Sequence, residues 1–504
     1  MKHLTKKLDW LTTLVPFLCI LFLCILFIAF PEGSSSVLGS IRFFLGDQFG
    51  SFYLLMGLGA LFCSLYAAFS RFGSIRLGGG HPPRYSNLQW GSMMFTAGLA
   101  ADILFYSLCE WMLYAGEPHI SDMGSVQDWV SVYPLFHWGP IPWSFYIILA
   151  VAFGFMLHVR KQNRQKYSEA CRPVLGKRVD GVLGRIIDLT AVFALLAGTA
   201  TTFSLATPLL SMALSRVTGI PETPAFTIAI LIAICIVYTM AVYFGMKGVA
   251  RLASSCVGLF FVLLAYFFFG GGEMRYIAET GLTSLGNLFH NFIPLATWTD
   301  ALRTSSFPQN WTIFYWAYWM VWCVATPFFI GSISQGRTIR QTVLGGYFFG
   351  LSGTFTSFII LGNYGLSLQM HGRLDLMAIY NQSQNLYEAI MAIFETMPLA
   401  KAGLLLLALT MIAFYATSFD ALTMVASSYS YRSLDGTQEP DRFIKLFWAV
   451  TLMLLPIALI FSENSMNSLQ TVSIIAAFPI SFIILLIIWS FFKDAGSYLN
   501  ETKK

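Results

Sequence analysis

The stretch WTIFYWAYWMVW at residues 311–322 is almost entirely apolar and aromatic, and it carries no charge. Tyr315, Tyr318, Trp319 and Trp322 follow one another at i, i+3, i+4 and i+7, which places them on one face of a helix. Aliphatic side chains would be sufficient to face lipid, so a face of tyrosine and tryptophan needs a further reason. The stretch therefore predicts a membrane-buried helix with an aromatic face.

A second group of large rings occurs in FHWGPIPWSFY at residues 136–146, namely Trp138, Trp143 and Tyr146. Two prolines interrupt this stretch, and because proline is favoured in the first turn of a helix, a helix is predicted to begin here with Trp143 and Tyr146 on one face. Membrane proteins also collect Trp and Tyr in belts at the lipid–water interface. Belt or core packing is therefore the alternative to a binding role for both stretches.

Two facing aromatic surfaces are suited to the recognition of an organic cation. A quaternary ammonium group cannot donate a hydrogen bond, and its charge is spread over methyl groups, so carboxylate and carbonyl ligands alone recognise it poorly. Indole and phenol faces attract such a group through their quadrupoles, by about 0.5–2 kcal/mol per contact. The two stretches are thus candidate walls of a cage.

The composition predicts a polytopic membrane protein. The chain has 504 residues, of which 56% are hydrophobic and 11% charged, whereas soluble domains carry about 25% charged residues. A bilayer-spanning helix needs about 20 apolar residues, and reading for such runs predicts twelve. Their approximate bounds are 10–30, 50–71, 88–115, 139–159, 188–214, 224–245, 252–270, 309–334, 341–363, 399–429, 444–461 and 468–492.

The distribution of basic residues predicts a cytoplasmic N-terminus and, with an even number of spans, a cytoplasmic C-terminus in a cell (inner) membrane protein. This orientation leaves six of the 30 Lys and Arg residues outside: Arg42, Arg216, Arg275, Arg303, Arg373 and Lys401. The net charge of +5 therefore reflects topology and does not indicate nucleic-acid binding. The lipid bilayer is the expected partner.

The eight cysteines lie mostly within apolar runs and form no C-x-x-C pair. Neither a disulfide framework nor a zinc site is predicted, and no cofactor is expected. The spacing of the intramembrane acids shows no catalytic arrangement, so an enzyme is not expected.

The chain divides into five predicted regions. Residues 1–87 hold the N-terminal tail and two leading helices, and 88–270 hold five further helices. Residues 271–308 are too polar to span, and their leucine spacing predicts an amphipathic helix along the outer surface. Residues 309–492 hold another five helices, and 493–504 a short tail. Two sets of five fit an inverted repeat.

Four landmarks resemble the betaine/choline/carnitine transporter family over nearly the whole membrane region. They are FHWGPIPWSFY, WTIFYWAYWMVW with ISQGRTIR at 333–340, GMKGVARLASS at 245–255 and FYATSFD at 414–420. The FHWGP form and the short tails look most like the carnitine/γ-butyrobetaine antiporter branch. The resemblance implies an all-α, LeuT-like fold of two inverted five-helix repeats preceded by two extra helices, a homotrimer, and transport of trimethylammonium substrates.

The resemblance also implies an aromatic box. It maps onto Trp138, Trp143 and Tyr146 in the fourth span and onto Tyr318, Trp319 and Trp322 in the eighth, with Trp319 at the centre. The resemblance implies Trp at position 318, and Tyr318 is a conservative departure that weakens but keeps a cation-binding face. Tyr114 is a candidate further wall, with core packing as the alternative.

The family's third span is broken at the middle of the membrane by small residues. The corresponding segment here is AGLAAD at 97–102, which has fewer glycines than the sodium-coupled carriers and implies a less pronounced break. Asp102 occupies a position where choline-accepting members tend to carry an acid, and an acid in the membrane is costly enough to indicate a role. It is predicted to pair with a cation or to carry a proton, with a satisfied structural acid as the alternative.

Ion coupling is open between sodium, a proton and no ion. Phe414, Thr417 and Ser418 match the family's sodium site, to which Leu99 is assigned as well. Against this, Arg251 lies where the sodium-independent branch has an arginine whose charge stands in for the ion. The balance of these residues favours sodium independence.

Further residues bear on the substrate and on the alternative function. The antiporter branch has polar or thioether groups where this chain has Ala325, Thr326 and Pro327, which argues against carnitine. Glu110 is interpreted as a structural hydrogen-bond partner, and His137 as a capping or interfacial group near the outer surface rather than a proton relay. The alternative function is a LeuT-fold sodium-coupled amino-acid symporter, which needs no pair of aromatic faces.

Overall fold

A computed structural model describes residues 8–502 apart from 81, 163, 245–246, 433, 435–438 and 462–465; the side chains of 31, 241–244, 247–254, 420, 461 and 466–469 also lie outside the description. The described residues fold into helices and contain no β-sheet. The α-helices are α1 Trp10–Ala29, α2 Pro31–Phe43, α3 Gly50–Phe69, α4 Asn87–Thr96, α5 Ala101–Ala115, α6 Pro118–Met123, α7 Val126–His137, α8 Pro140–His158, α9 Tyr167–Ala170, α10 Arg172–Leu175, α11 Val182–Thr218, α12 Pro224–Phe244, α13 Lys247–Gly270, α14 Met274–Thr297, α15 Ile313–Trp322, α16 Thr326–Ile333, α17 Ile339–Ser357, α18 Asn363–Met370, α19 Leu376–Ser383, α20 Leu386–Glu395, α21 Ala400–Tyr429, α22 Arg442–Phe461 and α23 Met466–Glu501.

Many of these helices are long and apolar enough to cross a membrane, so the chain is a multi-pass membrane protein. Eight continuous segments qualify among the described residues, and up to eleven if each of three bent helix pairs is one span. A shorter apolar helix, Pro224–Met240, corresponds to the sixth predicted run. The structure thus confirms a helical polytopic protein, and the count of twelve remains a prediction.

Two of the bent pairs contain predicted substrate-binding residues: Asp102 lies in the first, and Tyr318, Trp319 and Trp322 lie in the second. Helices α4 and α5 meet at an angle of 61° across residues 97–100, which confirms the predicted break in AGLAAD. Glycine is required at the break for space, because a Cβ on Gly98 would collide with the indole of Trp143. One glycine is therefore sufficient to permit a strong bend.

Helices α15 and α16 meet at an angle of 57° across residues 323–325, a break that the sequence prediction did not include. The signal was Pro327, which lies in the first turn of α16 and has no backbone N–H to donate to the carbonyl of Cys323. Tyr167 of α9 supplies the missing bond, since its hydroxyl donates to that carbonyl at 2.6 Å. The broken backbone therefore depends on a side chain from outside the pair.

We expect Tyr167→Phe to destabilise the protein by about 1–3 kcal/mol, because it leaves the Cys323 carbonyl buried without its donor. Thermal unfolding of the purified protein in detergent measures this as a lower melting temperature. Tyr66→Phe is the matched control, since Tyr66 is 57% exposed on α3. Equal melting temperatures for the two variants would contradict the role given to Tyr167.

The third bent pair leads into the region predicted as an outer linker. Helix α14 turns by 111° from α13, and one stripe of it, including Ile277, Ser284 and Leu288, is buried. Leu282 and Phe289, on its other side, are 75% and 71% exposed. An amphipathic helix is therefore present at 274–297 within the predicted range 271–308.

Candidate functional site

A cavity of about 460 Å³ lies where the two breaks face each other, between α4/α5, α8, α13, α15/α16 and α21. Its lining residues are Thr96, Ala97, Gly98, Leu99, Ala100, Asp102, Trp138, Tyr146, Cys256, Val257, Tyr318, Trp319, Trp322, Ala325, Thr326, Phe329, Phe414, Thr417, Ser418, Ala421 and Leu422. The volume falls in the range of about 300–1,000 Å³ that is usual for small-molecule sites.

Trp319 is the ring that the other aromatic side chains surround. Its ring centroid lies 4.7 Å from that of Tyr146 and 5.7 Å from that of Trp138, the latter pair at an interplanar angle of 71°. Trp143 lies 5.6 Å from Trp319 but does not line the cavity. Trp143 instead packs behind the box, where Gly98 and Gly350 leave room for its indole.

The two remaining residues of the predicted box also line the cavity. Trp322 is half-buried, and its indole packs over Gly198 of α11, where a Cβ would come within 3.3 Å of the ring. Tyr318 stacks on Phe314 with ring centroids 5.7 Å apart. The hydroxyl of Tyr318 donates a hydrogen bond to Asp102.

Asp102 is the acidic group of the cavity. It lies in the first turn of α5, where the helix dipole favours negative charge, and only 3% of it is exposed. The Tyr318 hydroxyl donates to its Oδ2 atom. The Thr202 hydroxyl lies 3.4 Å from the same atom and also contacts the Tyr318 hydroxyl, so its one proton is donated to one of these two oxygens. In the described part of the chain, no Lys, Arg or His nitrogen lies within 4 Å of its carboxyl oxygens. A bound cation would therefore meet a carboxyl without a basic partner.

The residues predicted for an ion site lie on the wall of the cavity formed by α21. Phe414, Thr417 and Ser418 line it opposite Leu99 of the first break. The Thr417 hydroxyl donates to the carbonyl of Phe414 at 2.9 Å. Hydroxyl and carbonyl oxygens are thus available there. The side chain of Arg251 lies outside the described part of the structure.

Tyr114 does not line the cavity. Its hydroxyl donates to Glu110 at 2.6 Å and lies 2.7 Å from His137 Nδ1. The interpretation of His137 as an interfacial group is wrong, because the residue is fully buried and its Nε2 lies 3.0 Å from the Thr312 hydroxyl. Glu110 is likewise fully buried and accepts a bond from Trp138 Nε1 at 2.8 Å.

Three rings close the cavity on the side of Glu110. Tyr106, Trp138 and Tyr315 have pairwise centroid distances of 5.5, 5.6 and 5.9 Å, and none is more than 3% exposed. On the opposite side Phe329 is 42% exposed, and Thr417 is half-buried. The wall of the cavity is therefore least enclosed by protein at α16 and at the C-terminal half of α21.

Several lining residues were missed by the sequence prediction. Cys256 and Val257 of α13 and Phe329 of α16 line the cavity, and Thr202 of α11 contacts Asp102 without lining it. The apolar runs of these three helices carry no signal that distinguishes such positions from lipid-facing ones. Thr202 gave the one available clue, since it belongs to a threonine-rich stretch, GTATT at 198–202, in an otherwise aliphatic span. Which of these threonines faces a binding site depends on tertiary packing.

A cavity between two broken helices of a multi-pass membrane protein is the arrangement expected of a membrane transporter. Comparison with known proteins agrees with this class and identifies the family. The model of the family described as "BCCT, betaine/carnitine/choline family transporter" matches residues 11–499. The chain belongs to this family of transporters, as its sequence motifs predicted, and is not an enzyme.

Individual relatives carry names from all three substrate groups. The chain is 30% identical over 476 residues to a probable glycine betaine transporter of Desulfitobacterium hafniense, covering 93% of each chain. It is 29% identical to a carnitine transporter of Acinetobacter baumannii, over 86% of this chain and 79% of that one. It is 28% identical to a high-affinity choline transport protein of Escherichia coli, over 95% and 70% respectively.

Proposed function

We propose that the protein is a secondary active transporter of quaternary ammonium compounds, such as choline, glycine betaine, carnitine or a related trimethylammonium substrate, and that it works by alternating access. The observation that carries the proposal is the position of Asp102 in a cavity walled by Trp138, Tyr146, Tyr318 and Trp319. The aromatic faces attract a charge that cannot donate a hydrogen bond. The carboxyl adds an opposite charge that water screens little.

The cavity fits a substrate with one cationic head. The rings around Trp319 offer the trimethylammonium group no hydrogen-bond acceptor, and it needs none because it has no N–H to donate. Trp322, Thr326 and Ser418 also line the cavity, and their N–H and O–H groups are assigned to the other end of the substrate. We assign Trp138, Tyr146, Tyr318, Trp319 and Asp102 to direct binding, and Trp143 to support of Trp319 from behind.

We further propose twelve spans in a LeuT-like arrangement of two inverted five-helix repeats. The eight continuous spans, the three bent pairs and the helix Pro224–Met240 together supply the twelve. Each proposed repeat, 88–270 and 309–492, begins with a broken pair of similar angle, 61° and 57°. Such discontinuous helices are expected at the binding site of inverted-repeat transporters.

The orientation follows from charge. We propose that both termini are cytoplasmic in a cell (inner) membrane, and that the less enclosed side of the cavity faces the cytoplasm, as in one of the two states that alternating access requires.

A homotrimer is proposed from the family alone. For the coupling ion we propose that sodium is not required, with a sodium site at Leu99, Phe414, Thr417 and Ser418 as the alternative.

Uptake into proteoliposomes tests the function. We expect labelled choline, glycine betaine or carnitine to enter when a trimethylammonium compound is preloaded inside, without a sodium gradient, because a charge-neutral exchange needs no other ion. Strict dependence on a sodium gradient would contradict sodium independence and assign the role to Thr417 and Ser418. Uptake of a labelled amino acid in place of all three would contradict the proposed substrate class.

A further inference from the structure

We propose that Glu110, Tyr114 and His137 form a buried proton-binding site behind Trp138, and that a proton held there competes with the cation bound in the cavity. The inference rests on the proposed function, because it requires that a cation binds beside Trp138. The site is separate from the cavity, since none of the three residues lines it.

The three side chains form a continuous hydrogen-bonded row. Glu110 Oε1 lies 2.6 Å from Tyr114 Oη, which lies 2.7 Å from His137 Nδ1, and His137 Nε2 lies 3.0 Å from Thr312 Oγ1. Glu110, Tyr114 and His137 are fully buried. Among the described residues, no Lys or Arg nitrogen lies within 4 Å of the Glu110 carboxyl, and His137 Nδ1 is 3.9 Å from it. A buried acid without a fixed cation beside it is a natural place for a proton.

The row can hold one added proton in two arrangements. In the first, His137 Nδ1–H donates to Tyr114 Oη, and the tyrosine proton points to the ionised Glu110. In the second, the Nδ1 proton has passed to Tyr114 Oη while the tyrosine proton has passed to Glu110 Oε1, and each bond has reversed direction. One proton moves from imidazole to carboxyl, and the number of protons is unchanged. The Thr312 hydroxyl can donate to or accept from Nε2, so the imidazole has a partner when it is neutral and when it is doubly protonated.

Trp138 connects this row to the cavity. Its Nε1–H donates to Glu110 Oε2 at 2.8 Å while its ring lines the cavity. An ionised Glu110 therefore places a negative charge one indole away from the cation, in surroundings of low dielectric constant. A proton on the row removes the net attraction that Glu110 adds. Cation and proton thus compete, and binding of one releases the other, since the linkage is reciprocal.

Other titratable groups near Glu110 cannot replace it in this role. On its own helix these are Tyr106, Cys109 and Tyr114, with Asp102 two turns away. From the packed helices they are His137 and Tyr133 of α7, Tyr315 of α15, and Tyr380 and Tyr387, which approach Cys109. The phenols and the thiol are neutral acids that stay protonated at ordinary pH. Among the described residues that line the cavity, Asp102 is the carboxylic acid that could release a proton in place of Glu110. The test must therefore distinguish a proton on Asp102 from one on Glu110.

The test is choline binding to the purified full-length protein, measured by calorimetry in two buffers of different ionisation enthalpy. We expect the wild type to release protons on binding and to bind about tenfold more tightly at roughly pH 8 than at roughly pH 6, within the usual range for two coupled sites. We expect Glu110→Gln to abolish the proton release and to flatten the pH dependence. Tyr114→Phe keeps the Glu110–Trp138 bond but separates Glu110 from His137, so we expect it to move the pH at which affinity changes.

Glu117→Gln is the matched control. Glu117 lies outside the spans and accepts a bond from Trp311 Nε1 at 2.8 Å, as Glu110 does from Trp138. Burial raises the pKa of the Glu117 carboxyl, although the indole bond opposes the shift. We expect this variant to behave as the wild type, and Asp102→Asn to bind more weakly but to keep the pH dependence.

Each other outcome overturns the proposal. A wild type that binds equally at both pH values with no proton release would do so, and so would a Glu110→Gln variant that keeps the wild-type dependence. A dependence lost in Asp102→Asn and kept in Glu110→Gln would assign the proton to Asp102. If Glu110→Gln does not fold, the wild-type proton release and the effect of Tyr114→Phe decide the question. In all these cases choline still binds; absence of binding at every pH would instead refute the proposed function as well.

Discussion

Replacing Trp319 by leucine is expected to weaken binding of every trimethylammonium ligand by about 30-fold or more, because a desolvated cation–π contact contributes about 2 kcal/mol. Trp319 lines the cavity in direct contact with the rings of Tyr146 and Trp138, with centroid distances of 4.7 and 5.7 Å. Leucine keeps an apolar side chain at a position that is 3% exposed, so the helix can still pack. Ligand-induced changes in intrinsic fluorescence, or calorimetry, measure the dissociation constant.

The control for this substitution is Trp489→Leu. Trp489 lies on α23 and is 62% exposed, which is expected of a lipid-facing side chain. Melting temperatures of both variants and of the wild type identify any general loss of stability. If Trp319→Leu binds choline, glycine betaine and carnitine with wild-type affinity, the aromatic cage is not the binding site.

Local sequence patterns predicted those parts of the site that a single helix determines. The spacing of Tyr318, Trp319 and Trp322 fixed which rings share a face, and Gly98 marked the first break. The assignment of rings from two distant spans to one site came from family resemblance, and five of its six box residues line the cavity. Trp143 is the exception, because a residue can share a helical face with Tyr146 and still point behind a neighbouring ring.

Other features could not be predicted because they depend on contacts between distant segments. The bond from Tyr167 to the Cys323 carbonyl joins residues 156 positions apart. His137 was interpreted as a capping or interfacial group because it precedes Trp138 of the box near the predicted outer surface. Helix α7 is instead part of the candidate span 126–158, and His137 is buried there beside Tyr114 and Thr312. Pro327 was the missed signal for the second break. A proline inside an aromatic span predicts a break, because it removes one backbone hydrogen bond of the helix.

The Asp102→Asn substitution is expected to change which substrates bind best. Asp102 faces the cavity with no basic group within 4 Å among the described residues, so removing its charge removes an attraction that a purely cationic substrate needs. Truncating one side of a buried charge pair costs about 2–5 kcal/mol, so choline affinity should fall by about 30-fold or more. Glycine betaine and carnitine carry their own carboxylate, which Asp102 repels. Their affinity should therefore fall less than that of choline, or rise.

The ratio of choline to glycine betaine affinity is the measurement that decides the role of Asp102. Asparagine keeps the size of the side chain and an oxygen that can accept the bonds from Tyr318 and Thr202, so packing in this region should be preserved. Asp122→Asn is the control, since Asp122 is exposed in α6 and does not line the cavity. An unchanged ratio would mean that Asp102 serves only to hold Tyr318 and Thr202, and the charge preference of the site would then have to come from the aromatic rings alone. A ratio that falls at least tenfold while the melting temperature stays constant would make Asp102 the residue by which this transporter distinguishes cations from zwitterions.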